Sequence, residues 1–269
     1  MVLLDFKFIY SNSKQKTYAK IYNGDCLEIL PKIPSESVDL VFADPPYNLQ
    51  LNKDKILYRK DGSKIVSVKD EWDYFKTFED YDNFSEAWIK ECKRILKPTG
   101  SFWVIGSYHN IFRVGTIMQD LGFWLLNDIV WIKKNPLPQI NGTRFCNAHE
   151  TLIWAQKERS PKYTFNYELM KKINNDKQMR SDWYLPICLG NERLRDKNGG
   201  RVHSTQKPER LIERIILATS NKGDLILDPF AGSGTSLAVA QKYGRRWIGI
   251  EKEKKYIPHI KKRLSNINY

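Results

Sequence analysis

The stretch Leu225-Ile226-Leu227-Asp228-Pro229-Phe230-Ala231-Gly232-Ser233-Gly234-Thr235 decides the architecture. An apolar run of strand length passes through Asp and Pro into a turn with two glycines one residue apart, and a helical stripe through Leu237 follows. Such a turn lets the backbone approach a ligand closely and aims the first N–H groups of the helix at it. No G-K-[ST] is present, so this is not a P-loop, and G-x-G-x-x-G is incomplete because Leu237 stands at its third glycine. About twenty residues on, the run Trp247 to Ile250 ends in Glu251, a carboxylate placed to take the two hydroxyls of a ribose. A tight strand-to-helix turn beside an unrelated surface Glu is the competing reading of the same residues.

Outward from this turn, strands and helices alternate. Val38 to Ala43, Ser101 to Ile105, Ile129 to Ile132 and Leu152 to Ala155 have the length and apolar content of buried strands. Phe84, Trp88, Cys92, Ile95 and Leu96 keep helical spacing, and Lys97-Pro98-Thr99-Gly100 ends that helix. Leu211 to Leu217 form a second helical stripe with Pro208 suited to its first turn, and Tyr256, Ile257, Ile260 and Leu264 mark a C-terminal helix. The alternation predicts an α/β fold with a doubly wound, mostly parallel sheet. Two polar stretches interrupt it. Residues 48–78 read as a long mobile loop or insertion, and residues 156–203 as a second insertion within a single domain spanning 1–269.

A second motif, Asp44-Pro45-Pro46-Tyr47, follows directly on the strand Val38 to Ala43. Two prolines fix the backbone as it leaves the sheet and remove two donors, so the segment presents acceptors. Asp44 and the Pro45 carbonyl can therefore both accept from an exocyclic –NH₂ group, and Tyr47 offers a flat face for a heteroaromatic base. The alternative is a rigid corner in which Asp44 serves as a cap.

These two segments, together with His203-Ser204-Thr205-Gln206-Lys207-Pro208, resemble the S-adenosylmethionine-dependent DNA amino-methyltransferases. Their order, D-P-P-Y before H-S-T-Q-K-P before D-P-F-A-G-S-G-T, resembles the permuted β class. The resemblance runs from about residue 20 to 265. Asp128–Lys134 (DIVWIKK), Asn135-Pro136-Leu137-Pro138 and Arg144-Phe145-Cys146-Asn147-Ala148-His149-Glu150-Thr151 are similar to the adenine-N6 enzymes of G-A-N-T-C specificity, both cell-cycle-regulated and restriction-system members.

The resemblance implies a Rossmann-like methyltransferase sheet, S-adenosylmethionine as cofactor, and residues 156–203 as the target-recognition region. It implies that Asp228, Pro229, Phe230, Ala231, Gly232, Ser233, Gly234 and Thr235 bind the cofactor, with Phe230 to Gly234 lining its methionine side and Lys207 and Pro208 closing over it. Glu251 takes the ribose, and Asp25 and Cys26 lie near the adenine. Asp44 contributes to cofactor binding and, with Pro45, Pro46 and Tyr47, to catalysis on a flipped adenine. Lys133, Lys134, Arg144, His149 and Arg180 are the implied DNA contacts, and double-stranded DNA the partner. A homodimer and a cognate restriction endonuclease are further expected partners, and the cytoplasm, at the nucleoid, is the expected location. Close relatives continue past the core with an extra C-terminal segment, whereas this sequence ends at Tyr269; if that segment helps bind or open DNA, the chain is expected to be weaker without it or to need a partner.

Composition sets the outer bounds. The 269 residues carry 44 Lys plus Arg against 31 Asp plus Glu, a formal +13, which suits an anionic partner without specifying one. With 41% hydrophobic residues a disordered basic tail is excluded. No apolar run reaches membrane-spanning length and residues 1–20 hold no signal-peptide core, so no membrane association is expected. Cys26, Cys92, Cys146 and Cys188 are scattered, with neither disulfide nor zinc spacing, and no metal is expected. They are preceded by Asp25, Glu91, Phe145 and Ile187, not by the proline of cytosine-C5 enzymes. Cytosine-N4 chemistry, a non-catalytic DNA-binding subunit of the same fold and a nucleotide-dependent oxidoreductase remain the alternatives. His149 and His203 read as structural or DNA-contact residues, and His109 and His259 as structural.

Overall fold

The structure, a computed structural model, describes residues 8–10, 19–49, 57–58, 64–65, 71–139, 142–159, 162–197 and 199–267. Its strands are β1 (Phe8–Tyr10), β2 (Ala19–Asn23), β3 (Val38–Ala43), β4 (Leu57–Tyr58), β5 (Lys64–Ile65), β6 (Leu96–Gly106), β7 (Trp124–Lys133), β8 (His149–Gln156), β9 (Asp182–Leu185), β10 (Leu225–Asp228) and β11 (Arg246–Glu251). Its helices are α1 (Cys26–Ile29), α2 (Phe78–Ile95), α3 (Ile111–Asp120), α4 (Tyr167–Ile173), α5 (Glu209–Thr219), α6 (Thr235–Lys242) and α7 (Ile257–Ser265).

Nine strands form one sheet in the order β1-β2-β11-β10-β3-β6-β8-β7-β9, and β4 pairs with β5 apart from it. From β2 to β6 every pairing is parallel; β8 runs antiparallel between β6 and β7, and β9 pairs parallel with β7. The sheet is therefore mostly parallel and doubly wound, as the alternation of elements predicts.

Strand β3 shows why its run is continuously apolar. Leu40 and Phe42 enter the layer shared with α5, α6 and α7, while Val41 and Ala43 enter the layer shared with α1, α2 and α3. A strand covered on both faces has no polar side to present. Helix α2 starts at a capping box, Thr77 accepting from the Asp80 N–H and Asp80 from the Thr77 N–H. Its buried stripe is Tyr81, Ser85, Trp88, Ile89, Cys92 and Ile95. Trp88 is fully buried, so its replacement by Ala is expected to lose about 3–5 kcal/mol.

Three local expectations are adjusted. Leu96 and the Lys97–Gly100 segment open β6 instead of trailing the helix, because α2 stops at Ile95 ahead of Pro98. Pro208 lies at the N-cap of α5, one residue before its first turn. Residues 156–203 add a strand to the main sheet: Trp183 and Leu185 of β9 are buried in the core beside β7. Most of the stretch 48–78 lies outside the described residues, and so does any question of its mobility. Among the described residues no helix is long and apolar enough to cross a membrane.

Candidate active site

Because β10 is hydrogen-bonded to β3 on one side and β11 on the other, the two motifs leave the sheet side by side at its carboxyl edge. They open onto one cavity of about 280 Å³. Asp25, Cys26, Asp44, Pro45, Pro46, Tyr47, Lys207, Asp228, Pro229, Phe230, Ala231, Gly232, Ser233, Thr235 and Glu251 all line it. Pro208 and Gly234 do not line it, and neither do the five implied DNA contacts.

The glycine turn is held by backbone and buried carboxylates. Gly232 and Gly234 have φ of +51° and +72°, the left-handed region that glycine enters without strain. A Cβ on Gly234 would stand 3.0 Å from Ile260 of α7. Glu251 receives the Gly232 N–H at 2.7 Å and the Glu253 N–H at 2.7 Å. Asp228 receives the Phe230 N–H at 2.9 Å and the Ser236 hydroxyl. Burial pushes both carboxyls up, each to about 7, against these donors. Arg263 of α7 is buried, donating to the Thr235 hydroxyl and pairing with Glu209 at 2.7 Å, and so braces the turn from below.

At the neighbouring strand end, Asn23 donates to the Glu251 carbonyl at 2.8 Å, and Asp25 caps α1 through the Leu27 N–H at 3.0 Å. Burial acts to raise the Asp25 carboxyl, but Lys252, 2.9 Å away, and the Leu27 N–H hold it below its ordinary value. The Cys26 thiol is pushed to about 12 by burial, which leaves it uncharged and apolar in behaviour. Six acidic side chains, Asp25, Asp44, Asp73, Asp228, Glu251 and Glu253, thus line the cavity with apolar Phe230 among them. That donor set suits a ligand carrying a ribose diol and a positive charge, so the residues fit S-adenosylmethionine.

The acceptor corner is held differently, by side chains from remote segments. Asp73 gathers the N–H groups of Tyr47, Asn48 and Leu49 at 2.5, 3.0 and 3.3 Å. Tyr81 donates to the Pro46 carbonyl at 2.9 Å and is itself held by Asn110. Lys207 donates to both oxygens of Asp44, at 2.8 and 2.7 Å, and its ammonium lies 5.1 Å from the Tyr47 ring centre. The Tyr47 hydroxyl donates to Glu150 at 3.0 Å, and Lys133 pairs with the other Glu150 oxygen at 2.8 Å. Two carboxylates and two ammoniums balance here. Burial pushes Asp44 up despite the pull of Lys207; burial would also lower Lys207, yet Asp44 and Glu150 raise it. Burial drives the Tyr47 hydroxyl well above its ordinary value, so it stays protonated and can only donate to Glu150.

Comparison with known proteins gives this geometry a family. The model of the DNA methylase family of N6/N4 type matches residues 38–262. The chain belongs to that family. It is 56% identical over 247 residues to the type II methyltransferase M.HinfI of Haemophilus influenzae, covering 92% of this chain and 68% of that protein. It is 42% identical over 253 residues to the type II methyltransferase M2.LlaDCHI of Lactococcus lactis subsp. cremoris, covering 93% and 91%. Among solved structures, the M1.HpyAVI complex with S-adenosylmethionine has a TM-score of 0.66 at 29% identity, over 91% of this chain and 98% of that one. The cytosine-N4-specific PvuII DNA methyltransferase reaches 0.73 at 24% identity, over 98% and 91%, a likeness of fold alone. This protein is an S-adenosylmethionine-dependent DNA methyltransferase.

Within that enzyme the implied DNA contacts divide. Lys134, Arg144, His149 and Arg180 are exposed. Arg144 touches the Tyr108 hydroxyl at 2.8 Å, and Arg180 pairs with Asp182 at 3.0 Å. Lys133 instead turns inward to Glu150 and is only 12% exposed, because neighbouring residues at a strand end point to opposite faces. His203 is buried, lying against Trp72 and Tyr256. Glu150, Asp73 and Tyr81 were not legible as site residues. Glu150 sits inside a quoted motif, but its role exists only once β8 is laid beside β7.

Proposed function

We propose that this methyltransferase modifies N6 of a flipped adenine in duplex DNA, within a G-A-N-T-C site, and that Asp44 to Tyr47 form its catalytic corner. One observation carries the reading: the Asp44 corner and the Gly232–Glu251 cradle line a single cavity.

An adenine amino group is a poor nucleophile because its lone pair is delocalised into the ring. Asp44 and the Pro45 carbonyl accept its two protons, which localises the lone pair and stabilises the positive charge that develops on nitrogen. Asp44 then takes the released proton, and a carboxyl raised by burial is the better for that task. Tyr47 stacks on the flipped base. S-adenosylmethionine, when bound, supplies an electrophilic methyl group on its sulfonium; Phe230 to Gly234, with Lys207 and Pro208, hold its methionine side, Glu251 its ribose, and Asp25 and Cys26 border its adenine.

On the surface we assign phosphate or base contacts to Lys134, Arg144, His149 and Arg180, with residues 156–203 of a single domain reading the target. A homodimer, a cognate restriction endonuclease and a cytoplasmic site of action at the nucleoid belong to the same reading. The test is transfer of labelled methyl groups to a G-A-N-T-C duplex, followed by digestion to nucleosides. N6-methyladenine is expected; N4-methylcytosine alone, or label shared equally with a duplex of scrambled site, would reject the reading.

A further inference from the structure

Asp44 has two oxygens, and Lys207 takes both of them. Each oxygen keeps a second lone pair, but an amino group docking there competes with the ammonium for Asp44, and a buried ammonium that gives way without another carboxylate is strongly disfavoured. A second carboxylate is at hand: the Lys207 nitrogen stands 3.9 Å from a Glu150 oxygen. Moving by about 1 Å would bring it to ordinary ion-pair distance. Glu150 itself is fixed, since its backbone pairs with Trp131 across β7 and β8, and Lys133 and the Tyr47 hydroxyl grip its two oxygens. The lysine is the movable member, with four rotatable carbons and, among the described residues, the Thr205 carbonyl at 3.4 Å as a further acceptor.

We propose that Lys207 is a transferable counter-ion, passing from Asp44 to Glu150 as the target amino group docks, and that Glu150 is a positioning residue whose charge acts on the amine only through Lys207. The inference rests on the reading of Asp44 as the acceptor of that amine. In support, Glu150 stays ionised: burial acts to raise its carboxyl, but Lys207 and Lys133 hold it below its ordinary value. No bond is made or broken in the transfer; one ion pair replaces another, and Asp44 is released at the moment its acceptor capacity is needed.

The test is a double-mutant cycle read by single-turnover methylation of an adenine-containing duplex, with cofactor dissociation constants and melting curves measured alongside. Glu150→Gln keeps an acceptor for Tyr47 but loses the charge; it is expected to slow transfer by about tenfold with cofactor affinity within about twofold, the pattern of a lost orienting contact. Lys207→Met is expected to move the acidic limb of the pH–rate profile to higher pH, since Asp44 loses the cation beside it. The double variant should be no slower than Lys207→Met alone. Losses that multiply, or an unchanged rate in Glu150→Gln, would overturn the proposal. Should Glu150→Gln fail to fold, Glu150→Asp replaces it in the cycle, retaining charge one methylene further from Lys207, and the same non-additivity is required. Wild-type N6 methylation with multiplying losses rejects only this inference, whereas absence of N6-methyladenine from the wild type rejects it together with the functional reading beneath it.

Discussion

The two sides of the cavity are built by opposite means. The glycine turn from Asp228 to Thr235 is shaped by its own backbone, and its main partner Glu251 ends the adjacent strand. The Asp44–Tyr47 corner is shaped by side chains from five separate stretches: Asp73, Tyr81, Lys133, Glu150 and Lys207. In the proposed reading the half built on backbone geometry sets where a cofactor sits. A half built from coupled charges can be redistributed, which is what a proton-accepting, amine-accepting site requires.

Substitutions on the glycine side should therefore destroy binding, and those on the acceptor side should impair turnover. The largest effect is expected for Gly234→Val. A branched side chain at φ +72°, with a Cβ 3.0 Å from Ile260, is expected to lose about 1–3 kcal/mol of stability through backbone strain and to abolish detectable cofactor binding in calorimetric titration. Retained binding in the folded variant would mean that the turn does not form the cradle.

Asp73→Asn comes next. The variant keeps its shape but loses the charge that gathers three N–H groups, and charge-assisted bonds of this kind contribute about 1.5–3 kcal/mol each at most. We expect kcat to fall by about tenfold or more while cofactor affinity is nearly unchanged. A selective loss of cofactor affinity would erase the distinction between the two sides. Tyr47→Phe is smaller: the ring proposed to stack on the base remains and only the hydroxyl, with its bond to Glu150, goes, so a loss of about two- to fivefold in kcat is expected.

The smallest effect concerns pH. Asp228 and Glu251 have folded-state pKa values raised to about 7. A raised carboxyl contributes stability that is fully present below its unfolded value, near 4, and is lost as pH rises through about 7. Melting temperature should therefore decline between about pH 5 and 7.5 from these groups, by about 2–4 °C for each kcal/mol lost. Asp228→Asn should flatten the slope. An unaltered slope would show that this carboxyl does not titrate in that range.

How much of this was legible in the sequence follows the same division. Asp228 to Thr235 and Glu251 could be read directly, because a strand, a tight turn and a strand-end carboxylate are local patterns with fixed spacing. The sheet was legible from its apolar runs, which are continuous where both faces are covered. Lys133 could not be placed, since whether a residue at a strand end faces the site or solvent depends on register. Asp73 and Glu150 carry no local signal: their partners are the Tyr47–Leu49 amides, Lys133 and Lys207, brought near only by the sheet order. Likewise β9 hides in a polar stretch, because an edge strand of four residues leaves too short a pattern to detect.

The division of labour is tested most directly by Asp44→Ala, with cofactor affinity measured by calorimetry and single-turnover methylation measured on the same preparation. The account predicts that transfer to adenine is abolished while cofactor affinity changes by no more than a fewfold. Equal losses of both would contradict it, and would make Asp44 a structural support of the cavity instead of the acceptor of the amine.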